Sequence, residues 1–105
     1  MKLLTKELID RFAEIGSQEN NPDPIIIAKF FHAFTPAAWY ATEYDPETKI
    51  FYGYATLYGL GSPEDGWGSF GLQELEELKV RGLGVERDLY FKEVKSSVIT
   101  NKNHD

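Results

Sequence analysis

Residues 38–58 read AWYATEYDPETKIFYGYATLY, and this stretch decides the fold. Two runs rich in aromatic and β-branched residues, the composition that suits a pleated, half-buried surface, flank Asp45-Pro46-Glu47-Thr48. Proline and aspartate at such positions favour a tight turn. The pattern predicts strands over residues 38–44 and 49–58, joined as an antiparallel hairpin. Side chains alternate across a strand, so the second run splits into Phe51, Gly53, Ala55 and Leu57 on one side and Ile50, Tyr52, Tyr54, Thr56 and Tyr58 on the other. The first set is apolar and mostly small, as expected of a face packed under a helix. The second lines up three tyrosines.

Outward from the hairpin, residues 25–31 (IIIAKFF) follow Pro24 and read as a preceding strand, nearly continuous in apolarity, with Thr35-Pro36 ending it. Upstream, Leu4, Leu8, Ile9, Phe12 and Ile15 recur at helical spacing, predicting a helix over residues 5–15 with Thr5 as N-cap and Gly16 as stop. Residues 17–24 (SQENNPDP) read as an exposed loop. Downstream, residues 59–66 form a glycine-rich loop and residues 67–70 a short strand. Residues 72–80 form a second helix with Leu72, Leu75 and Leu78 inward, and residues 89–94 a last strand. The order is α-β-β-β-β-α-β, which implies an α+β protein. Its mostly antiparallel sheet has four to five strands, with the N-terminal and second helices packed on one face. Residues 1–95 are expected to form a single domain, and residues 96–105 a polar, flexible tail.

The 105 residues suit one domain, and the 42% hydrophobic content excludes wholesale disorder. Cysteine is absent, which removes thiol nucleophiles, cysteine metal sites and a disulfide scaffold. The opening residues lack a signal-peptide core, and no apolar run reaches the roughly 20 residues that span a bilayer. A cytoplasmic protein with no membrane partner is the expectation. The net charge of −6 disfavours a general phosphate-binding surface.

Residues able to carry chemistry are few. His32 is the only histidine outside the tail, where His104 lies, and no nucleophile shares a motif with it. Glu64 and Asp65 read as a solvated turn. Gly59, Gly61, Gly66 and Gly68 lack the lysine and the helix start of a phosphate loop; they suit tight turns. No catalytic residue, metal or cofactor is assigned. Glu86-Arg87-Asp88 reads as a loop clamp or contact site, arginine pairing with a carboxylate.

The tyrosine row is the most informative surface. Tyr52, Tyr54 and Tyr58, with Trp39 on the neighbouring strand, are candidate anchors for a partner, since amphipathic aromatics are enriched in recognition surfaces; the equal alternative is an ordinary half-covered sheet face stabilised by cross-strand aromatic pairs. Tyr40 and Tyr44 extend the row if the hairpin register allows. Glu43, Asp45 and Glu47 form an acidic rim that would repel the phosphates of stacked bases.

The chain resembles the DUF2958 family. The resemblance rests on Leu3-Leu4-Thr5-Lys6-Glu7-Leu8, Asp23-Pro24, Phe34-Thr35-Pro36, Thr42-Glu43-Tyr44-Asp45-Pro46 and Tyr58-Gly59-Leu60-Gly61. It continues through Leu75-Glu76-Glu77-Leu78 and Gly84-Val85-Glu86-Arg87-Asp88-Leu89-Tyr90-Phe91, and so spans about residues 3–95. The family brings no activity and no site residues. The resemblance implies a bacterial setting on mobile genetic elements, where small acidic proteins block defence or bind DNA-handling proteins.

The expected function is a non-enzymatic protein-interaction module, an inhibitor or accessory of a basic, nucleic-acid-handling or defence protein. Two alternatives stand beside it. One is a nucleic-acid-binding module using Lys79, Arg81, Arg87, Lys92 and Lys95. The other is a small hydrolase-like enzyme using Glu86, Asp88 or His32.

Overall fold

The structure, a computed structural model, describes residues 2–101. Thr5 caps α1 (Lys6–Ile15) by accepting the Leu8 N–H at 3.2 Å. Gly16 ends it at φ 65°, its N–H donating to the Phe12 carbonyl. Residues 25–31 are not one strand. β1 (Ile25–Ile26) and β2 (Ala28–His32) belong to different sheets, with Ile27 between them donating its N–H to Ala41. β3 (Ala38–Asp45), β4 (Ile50–Thr56) and β5 (Gly66–Gly71) continue from β2 as an antiparallel meander. α2 (Leu72–Glu77), β6 (Val85–Arg87), β7 (Val94–Lys95) and α3 (Ser96–Thr100) complete the order.

The main sheet is five-stranded, in the order β5-β4-β3-β2-β6, so the α+β reading holds. Its first face carries Ala28, Phe30, Trp39, Ala41, Phe51 and Phe70, which form the core with Phe12 of α1 and Leu75 of α2. Phe51 is at the centre and has no exposed surface. Its ring lies 4.7 to 5.9 Å from those of Tyr44, Phe30, Phe70 and Phe12. Burying one such ring is worth about 2–3 kcal/mol, so Phe51 joins α1 to three strands.

The second face is covered in part, by elements other than the two helices expected to pack on one face. β1 pairs with β7, and this two-stranded ribbon with α3 buries Ile26, Ala38, Tyr40 and Ile99 in a second cluster. Ser96–Thr100, read from sequence as the start of a polar tail, is therefore helical, and the ordered part of the chain passes Lys95. Polar sequence hid this because α3 is capped from a distance. Asp23 accepts the Ser97 N–H at 2.8 Å and both serine hydroxyls, Ser97 at 2.7 Å and Ser96 at 3.1 Å. Residues 102–105, which include His104, lie outside the described residues.

Two further elements differ from their predicted spans. α2 stops at Glu77, three residues short, because Val80 and Leu83 bridge around a turn in which Arg81 (φ 52°) and Gly82 (φ 80°) are left-handed. Leu78 is consequently exposed rather than inward. The strand expected over residues 89–94 is absent; the pairing residues are Val85–Arg87 and Val94–Lys95, with the exposed Leu89 and Tyr90 between them. Among the described residues no helix is long and apolar enough to cross a membrane.

Candidate functional site

The α3 layer covers only part of the second sheet face, and the uncovered part is aromatic. Tyr52 and Trp67 are 42% and 41% exposed. Their rings stack at 6.1 Å and 15°. Tyr54 meets the edge of Trp67 at 5.4 Å but is half-buried against the α3 layer. Burial raises the Tyr54 hydroxyl pKa, with the Asp65 charge adding to it.

A β-bulge decides which residues join this patch. The register shifts between Ala41 and Glu43, so that Ala41 opposes Gly53 but Glu43 opposes Tyr52. The extra residue, Thr42, is buried and donates its hydroxyl to the Tyr52 carbonyl at 3.1 Å. The shift puts Glu43 on the open face with Tyr52 and turns Tyr44 to the core, where it packs on Phe12 and Phe51. Bulges re-aim side chains in this way.

The loop before β1 walls the patch and makes it a groove. Gln18, which is buried, donates its side-chain amide to the carbonyls of Ile25 (2.9 Å) and Thr42 (2.8 Å) and accepts the Ile25 N–H (2.7 Å). This anchors residues 17–24, expected to be an exposed loop, against β3 through the buried Gln18. The Gln18 N–H donates to Glu43 Oε2 at 3.3 Å. The resulting hollow, of about 580 Å³, is lined by Gln18, Pro22, Thr42, Glu43, Tyr52 and Trp67 among others. A second hollow of about 430 Å³ continues past Glu43 and Tyr52 to Asp45 at the hairpin end.

Of the candidate anchors, Tyr52 lies in the groove and Tyr54 at its covered margin. Trp39 does not: it is 6% exposed and points into the core on the opposite face, since Trp39 opposes Ala55 rather than a tyrosine. Tyr58 lies beyond the end of β4, exposed with Leu57. Of the acidic rim, Glu43 lines the groove, Asp45 lines its extension, and Glu47 sits in the turn, its N–H bound to Asp45 Oδ1. Trp67 was read only as the start of a short strand. The signal that finds it is its opposition to Tyr54 across the β4–β5 ladder.

The other candidates fall into structural roles. His32 is 3% exposed, with Nδ1 accepting the Phe34 N–H at 3.0 Å. Arg87 donates to the carbonyls of Lys2 (2.6 Å) and Leu3 (3.2 Å), tying the N-terminal segment to β6. Asp88 pairs with Lys29 at 3.8 Å. Glu86 opposes Phe31 and borders a separate hollow with Lys79 and Leu83. Arg81 lies over the Phe34 ring, and Lys95 is on the β1–β7 ribbon. Lys79 and Arg81 share the connection between α2 and β6, and Arg87 lies on β6 itself. Among the described residues no group of three histidine or acidic side chains is placed to hold a metal.

A groove lined by two stacked aromatic rings, with a carboxylate beside it, suits a cation. Aromatic rings attract an ammonium or guanidinium by their quadrupole, and Glu43 supplies a charge-assisted acceptor.

Compared with known proteins, the chain is matched over residues 3–101 by the family described as "Protein of unknown function (DUF2958)". No curated protein and no solved structure matches it.

Proposed function

We propose that this chain, which belongs to the DUF2958 family, is a non-enzymatic protein-interaction module that seats a basic side chain of its partner between Tyr52, Trp67 and Glu43. The observation that carries this reading is the exposed stack of Tyr52 on Trp67 next to a carboxylate. Large aromatics exposed side by side mark binding sites. Both rings keep about two fifths of their surface exposed, beyond the part of the sheet that α3 covers.

The net charge of −6 supports a basic partner through long-range steering. Nucleic-acid-handling and defence proteins are basic and fit that description, in keeping with a role as inhibitor or accessory. Cytoplasmic location and a bacterial mobile-element setting belong to the same proposal.

A peptide array tests it. Wild-type protein is expected to select arginine- or lysine-containing peptides over neutral and acidic ones. Trp67→Ala and Glu43→Gln are expected to lose that selection while keeping the fold. Equal binding to acidic peptides, or undiminished selection by both variants, overturns the reading.

A further inference from the structure

The two edges of the main sheet are unlike. β6 is three residues long and carries Glu86 and Arg87. Shortness and charge are the usual protections of an edge against further pairing. β5 is six residues, Gly-Trp-Gly-Ser-Phe-Gly. It has no charge and no proline, and its register on β4 runs unbroken from Gly66 to Gly71.

The backbone groups that β5 leaves free can be identified. Leu72 donates its N–H to the Lys49 carbonyl at 3.0 Å, which makes Lys49 and Leu72 a hydrogen-bonded pair of the antiparallel ladder. Such pairs alternate. The main chain of Phe70, Gly68 and Gly66 therefore bonds to β4, and that of Gly71, Ser69 and Trp67 points outward. The outward N–H of Gly71 is taken by Glu74 Oε1 at 2.7 Å. Among the described residues no other segment takes the N–H or C=O of Trp67 or Ser69.

We propose that a second copy of this chain docks here, β5 pairing antiparallel with β5 of the copy about a two-fold axis at Gly68. The sequence is complementary to itself in that register. Trp67 lies opposite Ser69 of the copy, Gly66 opposite Phe70, and Gly68 opposite itself. Each large ring meets a small residue, and an aromatic side chain covers a glycine across the strands, a stabilising arrangement. Trp67 and Ser69 become a hydrogen-bonded pair in both directions, which satisfies all the free groups. Gly68 falls at the close, non-hydrogen-bonded position, where Cα atoms approach to about 4.5 Å and side chains would crowd. Asp65 faces Gly71 of the copy, so no two acids stand opposed. The axis runs perpendicular to the sheet, and both Tyr52–Trp67 grooves open on one face of a sheet twice as wide.

Gly68 also provides the test. No atom lies within 4 Å of where its Cβ would be, so a side chain can start there in a single chain, whereas in the pair Gly68→Lys sets two ammonium groups against each other. Sedimentation velocity from micromolar to millimolar protein should show wild type reaching the mass of two 12.0 kDa chains. Gly68→Lys should lower the association constant about tenfold or more, with circular dichroism and thermal midpoint unchanged. Should that variant unfold, Ser69→Pro removes only an outward N–H and is expected to block association equally. In amide exchange, Trp67 and Ser69 should be protected in wild type at high concentration and not in the variant. Wild type that stays a single chain throughout, including one that instead takes up a foreign strand, overturns the proposal. So does a folded variant that associates as well as wild type. The peptide array does not depend on either outcome.

Discussion

A Cβ on Gly53 would lie 2.0 Å from the carbonyl oxygen of Tyr40. No side chain fits there, at the last paired position before the bulge that sets Glu43 against Tyr52. The glycine therefore serves the groove as well as the sheet. Gly53→Ala should force the strands apart and cost about 1–3 kcal/mol or more. In a domain of this size each 1 kcal/mol lowers Tm by about 4–8 °C. A thermal melt checks this, and a variant with unchanged Tm would mean that the two strands are not in this register.

Phe51 and Tyr52 are neighbours in sequence with opposite roles. Phe51→Ala should cost about 3–5 kcal/mol in urea unfolding, as expected for a ring lost from a filled core. Tyr52→Ala should cost less, about 1 kcal/mol, since its ring is partly exposed at the rim of the sheet face rather than enclosed in the core. Similar losses at both positions would show that the tyrosine face is buried.

Asp23 caps α3 from the far end of the chain. Hydrogen bonds from Ser97, then from Ser96, hold its carboxyl pKa below the ordinary 3.8. A carboxylate with a depressed folded pKa contributes stability that is present above the ordinary value and is lost as pH falls through the folded one. Acid should therefore loosen α3 below about pH 4. Asp23→Asn should remove that step and, at neutral pH, raise amide exchange over Ser96–Thr100. A step of equal size in wild type and variant would refute the assignment. The contribution is small, because the carboxylate is solvent-accessible.

The two tryptophans are in opposite environments, Trp39 at 6% and Trp67 at 41% exposure. Iodide should quench only part of the emission, and the quenchable part should vanish in Trp67→Phe. Uniform quenching would place Trp39 at the surface.

The sheet was legible because its signals are local: the proline turn, the alternation of Phe51, Gly53 and Ala55, and the capped helix at Thr5. The α+β order follows from these alone. The groove was not legible, for a different reason. Strand alternation says which residues share a face within one strand, but only the register joins two strands. The bulge at Thr42 resets that register and takes Tyr44 away from the row while adding Glu43. Trp39 and Trp67 exchange roles for the same reason: each is aromatic and on a strand, and only the partners, Ala55 and Tyr54, separate core from surface. The covering of Tyr40 depends on Asp23 reaching Ser96 and Ser97 across more than seventy residues, a contact that no sequence window contains. The bonds from Arg87 to the carbonyls of Lys2 and Leu3 were not legible either, because backbone acceptors leave no mark in sequence.

The most direct test of the central claim is a nuclear magnetic resonance titration with a short arginine-containing peptide, reading the two indole N–H signals. The Trp67 signal should shift and saturate while that of Trp39 stays fixed. Glu43→Gln and Tyr52→Ala should each weaken binding several-fold, about what a single exposed cation–π contact or charge pair provides, and added salt should weaken the wild type. No shift at Trp67, or a shift that neither substitution nor salt reduces, would contradict the account.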